Sequence, residues 1–252
     1  MNIFFRVDSG SIIGSGHIMR CLCLARYLNK HENIDHENIY FICAEHIDNI
    51  MDIIPYNIYK FDVNTVITTN TDSWLGNSVL YDAGKTIGLL RKHNNSILIV
   101  DHYAIGKVWE NYVKPYTDKI IVIDDLHNRM HKCDVLIDQY NIDKGDVYKD
   151  NLLVPSNCKT LLGYRYVMLN PVFNRPVRYR DGILRVHVFF GSSDHINMTE
   201  TLLKEIVDQG IWYYIFDIVI GPINKNYHKI KQKYGKYRNI KIHHNVKPLV
   251  MA

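Results

Sequence analysis

The sequence predicts an α/β protein built on parallel sheets, and three observations predict it. Strand-like apolar runs alternate with longer amphipathic segments; several runs end in an acid, at Asp8, Asp101, Asp124 and Asp138; and the first run enters a helix through a glycine-rich turn. That alternation is the pattern of a parallel sheet with crossover helices. At 252 residues the chain is long enough for one large or two ordinary domains. Its 47% hydrophobic and 22% charged residues are ordinary for a folded soluble protein.

Strands are predicted at 3–7, 39–43, 97–100, 120–123 and 135–137. After the first, Ile18, Cys21, Leu22, Ala25 and Leu28 recur at helical spacing, giving a helix of about three turns with its apolar side on the sheet. Segments 83–93 and 104–114 read as helices, and 62–80, which has no clear period, reads as loop. The acids at the strand ends are expected to close helix caps. Positions 171–180, rich in proline and arginine, read as a linker. Beyond it a second unit repeats the order: strand 184–190, turn Gly191-Ser192-Ser193-Asp194, helix 198–209, strand 212–220, turn Gly221-Pro222-Ile223-Asn224, a helix, and strand 240–243. The chain stops at Ala252, where a further helix is expected to start. Three parallel strands in about 70 residues bury little apolar surface and leave strand edges uncovered. The second domain is therefore expected to be cut short, with room for a partner chain to complete it.

Composition narrows the partners. The net charge is only +4 and the basic residues are scattered. The densest basic run, 225–241, interleaves lysines with tyrosines, as a nucleic-acid track can. A solvated helix face is the commoner origin of such a run, so no nucleic-acid partner is expected. No stretch reaches the roughly 18 to 20 apolar residues of a membrane span, and the first residues do not show the series of a signal peptide. The five cysteines, at 21, 23, 43, 133 and 158, form no C-x-x-C pair and are read as free thiols in a reducing cytoplasm.

The most informative segment is RVDSGSIIGSGHIMRCLCLA, residues 6–25. It sets a strand end, a glycine turn, a helix N-terminus and a titratable imidazole within a few residues. Open α/β sheets bind ligands at such strand ends, and helix N-termini favour anions. The same helix end disfavours imidazolium at His17, and neutral imidazole is the form a general base needs. An enzyme acting on a small anionic ligand is therefore expected. Gly14-Ser15-Gly16-His17 lacks the third glycine of a dinucleotide fingerprint and no P-loop lysine follows it, so neither NAD nor ATP is expected.

This segment resembles the signature of the UDP-sugar hydrolases of pseudaminic acid biosynthesis, which remove UDP from UDP-2,4-diacetamido-2,4,6-trideoxy-β-L-altrose. Related polysaccharide-biosynthesis proteins are similar too. Further motifs follow in family order: Val100-Asp101-His102-Tyr103 with Trp109-Glu110, Ile123-Asp124-Asp125-Leu126 with Arg129 and Cys133-Asp134, Leu162-Gly163-Tyr164-Arg165-Tyr166 with Leu169 to Phe173, Phe190-Gly191-Ser192-Ser193-Asp194 with Asn197, and Ile220-Gly221. The resemblance implies two Rossmann-like domains of the glycosyltransferase B type, here 1–172 and an incomplete 181–252, with a UDP-sugar bound between them. It implies inverting attack of water on the anomeric carbon, UDP as leaving group, and no metal or cofactor. Two departures stand out. The family usually has two glycines where this chain has Gly191-Ser192, and it continues past this end into a Gly-Ser/Thr-rich segment with a nucleotide-holding glutamate. Two other readings follow from these points: a nucleotide-sugar-binding fragment without turnover, and a glycosyltransferase.

On the resemblance, His17 is the base that activates water. Gly14, Ser15 and Gly16 provide the turn, with amides left for substrate oxygens. Arg20, three positions on, shares the helical side of His17 and either polarises the site or binds a carboxylate of the fold. Asp8 either orients His17 or caps the loop. Asp101, His102 and Tyr103 are expected to point into one crevice, contacting sugar or bonding locally. Asp124-Asp125 looks like a paired-carboxylate metal site, but no His or Cys cluster supports it. Gly191, Ser192, Ser193 and Asp194 are expected to cradle the diphosphate at a helix N-terminus, Ser or Asp capping that helix being the plainer reading; Asn197 is a weaker candidate for the same pocket.

Overall fold

The computed structural model describes residues 1–141, 145–173, 182 and 184–246. The chain forms two compact units, Met1–Leu169 and Asn170–Ala252. In unit 1 the described strands are β1 (Asn2–Val7), β2 (Ile39–Ala44), β3 (Asn57–Phe61), β4 (Ser96–Asp101), β5 (Lys119–Ile123), β6 (Val135–Asp138) and β7 (Lys159–Leu162). They make one seven-stranded sheet in the order β3-β2-β1-β4-β5-β6-β7, every pair parallel.

Alternation along the strands sorts side chains between two layers. Ile3, Phe5 and Val7 of β1, with Ile39, Phe41, Cys43 and Ile99, pack under α1 (Gly16–His31) through Ile18, Cys21, Leu22 and Ala25. Phe4, Ile42, Leu98, Val100, Ile120 and Val122 face the other way, onto α2 (Val79–Leu90) and α3 (Lys107–Val113). With helices on both faces the central strands are apolar apart from buried Arg6 of β1, which made them legible as continuous runs. A short α4 (Val147–Asp150) precedes β7. The chain crosses from the β1–β2–β3 side to the β4–β7 side between β1 and β4, so the topological switch point lies at their carboxyl ends.

The sequence reading is corrected in several places. β3 and β7 were not foreseen: both are sheet edges with largely exposed or half-buried residues, so neither shows an apolar run. Helix α1 extends to 16 residues, beyond the expected three turns. Within 62–80 a 3-10 turn forms at Thr71–Ser73, and α2 begins at Val79. The strand-end acids do not cap helices. Asp8 binds Arg6 at 2.6 Å, Asp101 binds His17 and Arg20, Asp124 accepts from Tyr148, and Asp138 contacts His127 at 2.6 Å. Side-chain caps come instead from Ser78 for α2 and Asp146 for α4.

Unit 2 is a three-stranded parallel sheet, β10-β9-β8, from β8 (Arg185–Phe189), β9 (Ile215–Ile220) and β10 (Ile240–His244). Helices α5 (Met198–Asp208) and α6 (Tyr227–Tyr234) supply Leu203, Ile206, Ile230 and Tyr234 to a core with Val188, Phe216, Ile218 and Ile220. In the basic run read as a helix face, Lys229 and Lys233 of α6 pair with Glu200 of α5 at 2.9 and 3.2 Å. Of the linker expected at 171–180, Pro171–Phe173 is a 3-10 turn and 174–180 lies outside the described residues, as does 247–252 at the chain end.

Candidate active site

The carboxyl end of β1 turns through residues 8–15 into α1. Gly10 and Gly14 bond each other, Gly14 N–H to Gly10 O at 2.7 Å and Gly10 N–H to Gly14 O at 3.2 Å, closing a small loop. Gly14 sits at φ +82°, a conformation that favours glycine. Its amide is therefore spoken for and is not left for a ligand, which corrects the expectation. Gly16 opens the helix with nothing within 4 Å of where a Cβ would stand, and Ser15 is the N-cap residue without a side-chain cap bond. The first turn of α1 carries no acid of its own.

His17 follows and is only 7% exposed. Its Nδ1 lies 2.6 Å from Asp101 Oδ1 at the end of β4, where Asp101 pairs in register with Val7. A carboxylate there accepts the Nδ1 proton and so leaves Nε2 as the acceptor of the neutral ring. Arg20, one turn on, grips the same carboxylate with Nε at 2.6 Å from Oδ2 and Nη2 at 2.6 Å from Oδ1; its Nη1 reaches Asp125 at 3.3 Å. Of the two readings open to Arg20, binding the fold's carboxylates is the one observed. Burial alone would push the Asp101 carboxyl up, but His17 and Arg20 hold it well below the ordinary carboxylate range.

Tyr103 completes the group. Its hydroxyl donates to Asp125 Oδ1 at 2.5 Å, and its ring meets the imidazole edge-to-face with centroids 4.6 Å apart. Burial, then the Asp125 carboxylate, push the phenol up, so it stays a hydroxyl donor. The sequence treated Asp125 only as half of a metal pair; instead the two acids diverge, Asp125 to Arg20 and Tyr103, Asp124 to Arg129 at 2.6 Å and Tyr148 at 3.0 Å. Trp74, also beside His17, was missed because it comes from a stretch without periodicity.

His102 does not share this crevice. Neighbouring residues at a strand end point to opposite faces, and His102 turns to the other layer, its Nε2 3.1 Å from Asp8 Oδ2. Asp8 does not orient His17 either. It is held bidentately by buried Arg6 at 2.6 and 2.9 Å and accepts from Ala44 N at 2.7 Å; Arg6 in turn grips Asp82. This second network ties the ends of β1 and β2 to α2.

In unit 2, Gly191 takes φ +84° after β8, and Asp194 is buried with φ +43°. Asp194 caps α5, accepting from Met198 N at 2.8 Å and Thr199 N at 2.9 Å. Those helix amides are thus already taken, so the plainer reading of Asp194 is the one seen. Asn197 binds Glu200 and Asn226 at 2.8 and 3.2 Å. Two buried groups at this end of the sheet, Ser192 Oγ and Asn224 Nδ2, have no hydrogen-bond partner among the described residues. Ser193 lies in the same turn. A Cβ on Gly221 would come within 2.3 Å of Ser192 Cα and O, so only glycine lets the two turns meet.

No family model matches the chain. It is 27% identical over 256 aligned positions to the UDP-2,4-diacetamido-2,4,6-trideoxy-beta-L-altropyranose hydrolase of Campylobacter jejuni, spanning 99% of this chain and 81% of that protein. Among solved structures, the UDP-GlcNAc 2-epimerase from Neisseria meningitidis bound to UDP-GlcNAc aligns with a TM-score of 0.45 and 11% identity, over all of this chain and 74% of that one. That score is below the level at which a shared fold follows. Among the described residues no helix is long and apolar enough to cross a membrane. The likeness to this hydrolase runs along nearly the whole chain.

Proposed function

We propose that the chain hydrolyses a UDP-linked 2,4-diacetamido-2,4,6-trideoxy sugar at its anomeric carbon, with His17 as the base. The observation that carries this reading is the 2.6 Å contact between His17 Nδ1 and Asp101 at the switch point of the sheet. The bond supports one tautomer of a neutral imidazole, and Nε2 then takes a proton from water as that water attacks C1. The C1–O bond breaks with its electron pair leaving on the UDP diphosphate, and the sugar inverts, as in displacement by a base-activated water. Arg20 keeps Asp101 ionised, and Tyr103 keeps a hydroxyl beside the imidazole.

Unit 2 is proposed to hold the nucleotide. Its built features are Ser192 Oγ and Asn224 Nδ2, both without a hydrogen-bond partner among the described residues, beside the Gly191 turn, with Ser193 next to them. Such buried donors are costly unless something bonds them. The architecture proposed is a pair of Rossmann-like domains of the glycosyltransferase B type.

The test is UDP release from that substrate by the purified protein. His17→Ala is expected to lose at least about 10²-fold in kcat; equal rates for the two proteins would remove the base. Run in ¹⁸O water, the reaction should place the label in the sugar. Label in UDP would mean cleavage at phosphorus, and the mechanism would be abandoned.

A further inference from the structure

Trp74 stands beside the candidate base, and nothing in the hydrolytic reading uses it. Its ring centroid is 6.2 Å from that of His17, edge-to-face at 82°, and 5.7 Å from that of Tyr103. With Tyr103 at 4.6 Å from His17, the imidazole has two aromatic neighbours. Both contacts have the crossed geometry that aromatic quadrupoles favour.

The segment that delivers the indole is polar, exposed and bonded to itself. Thr68 N–H donates to Ser73 Oγ at 2.9 Å, Ser73 Oγ donates to Asn70 O at 2.7 Å, and Asp72 N–H donates to Asn70 Oδ1 at 3.1 Å. The indole N–H itself donates to Thr68 O at 3.0 Å. Thr68, Asn70 and Asp72 are exposed, whereas Trp74 is only 9% exposed. Gly76 then closes the loop at φ +60°, where a Cβ would lie 2.5 Å from Val63 Cγ1. A run of surface residues is thus organised around placing one large apolar ring next to His17.

Asp101 and, at 3.2 Å, Arg20 Nη2 both meet Nδ1, at one corner of the imidazole. Aromatic walls limit the motion of the rest of the ring and keep bulk water off it. We infer that Trp74 is a positioning residue for His17, holding the imidazole plane in register with Asp101. The kinetic consequence rests on the hydrolase reading; the ring geometry does not.

The experiment therefore has two arms on the full chain. In ¹⁵N spectra of the histidine rings, with the His17 signal assigned by its loss in His17→Ala, the wild type should show a single Nδ1-protonated neutral tautomer. Trp74→Leu should show averaging between tautomers, and Trp74→Phe should restore most of the wild-type state. On the UDP-sugar, Trp74→Leu should lower kcat about 10-fold with KM within about twofold, and be rescued by Trp74→Phe. An unchanged His17 spectrum in folded Trp74→Leu overturns the inference, whatever the activity. A wild type that releases no UDP overturns the hydrolase reading, while the spectra still decide the role of Trp74. Should Trp74→Leu fail to fold, Trp74→Met, an adaptable and similarly long side chain, supplies the same comparison.

Discussion

At the scale of single residues, the chemistry of unit 1 converges on one carboxylate. Asp101 is buried and receives His17, both arms of the Arg20 fork and, at 3.5 Å, the Cys21 thiol. Asp101→Asn keeps the shape but turns an acceptor of the Nδ1 proton into a group that can donate to it, which favours the wrong tautomer. A kcat loss on the order of 10⁴-fold is expected, by the precedent of carboxylates that fix a catalytic imidazole. It should come with reduced stability, because Arg20 would then lie against a neutral amide. A variant with normal kcat would show that Asp101 serves only the fold. His17 was legible from the sequence, since a histidine at a glycine turn before a helix is chemically pointed. Its partner was legible only as one of several strand-end acids. Which of Asp8 and Asp101 reaches His17 depends on which face each side chain takes, and that is settled by pairing register rather than by local pattern.

At the scale of elements, the buried centre of each sheet could be read and the edges could not. β2, β4 and β5 carry continuous apolar runs, and β1 does so apart from buried Arg6, because helices cover both faces, whereas Asn57–Phe61 and Lys159–Leu162 offer mixed, half-wet sequences. The turns after the strands read well as glycine positions but poorly as to purpose, and two of those glycines now separate cleanly. At Gly16 a Cβ meets open space, so Gly16→Ala should change stability by no more than about 0.5 kcal/mol. Any loss it causes should appear in KM or kcat. At Gly221 a Cβ collides with the Ser192 backbone, which cannot give way as a flexible side chain would. Gly221→Ala should therefore cost about 2 kcal/mol or more and abolish UDP binding, read by thermal unfolding and calorimetry on the whole chain. Equal stability of the two variants would contradict the close approach of these turns.

At the scale of the molecule, buried ion pairs make stability depend on pH, and one such contribution in the neutral range comes from outside the candidate site. His131 is fully buried on the segment leading from β5 to β6, its Nδ1 2.7 Å from Glu110 of α3 and its Nε2 3.9 Å from Asp124. Burial would push the imidazolium pKa down, but Asp124 and Glu110 outweigh it and raise the pKa to about 9. Asp124 is correspondingly held at about 2, against its own burial, by His131 and Arg129. A histidine whose pKa is higher folded than unfolded stabilises the protein fully below about pH 6.5. That contribution is then lost as pH rises through 9. It is worth on the order of 3 kcal/mol. Denaturant midpoints of the wild type should therefore fall between pH 6.5 and 9.5, and most of that fall should vanish in His131→Gln, which keeps a hydrogen-bonding side chain but cannot charge. Because α3 and the β5–β6 segment both meet at this imidazole, its deprotonation would leave Glu110 as a buried carboxylate without a cation. Its remaining donors there are the His131 Nδ1–H and the Lys132 amide. A wild type whose midpoint is level across that range would mean that His131 is neutral when folded, and the ion pair joining helix to sheet would have to be redrawn as a neutral hydrogen bond.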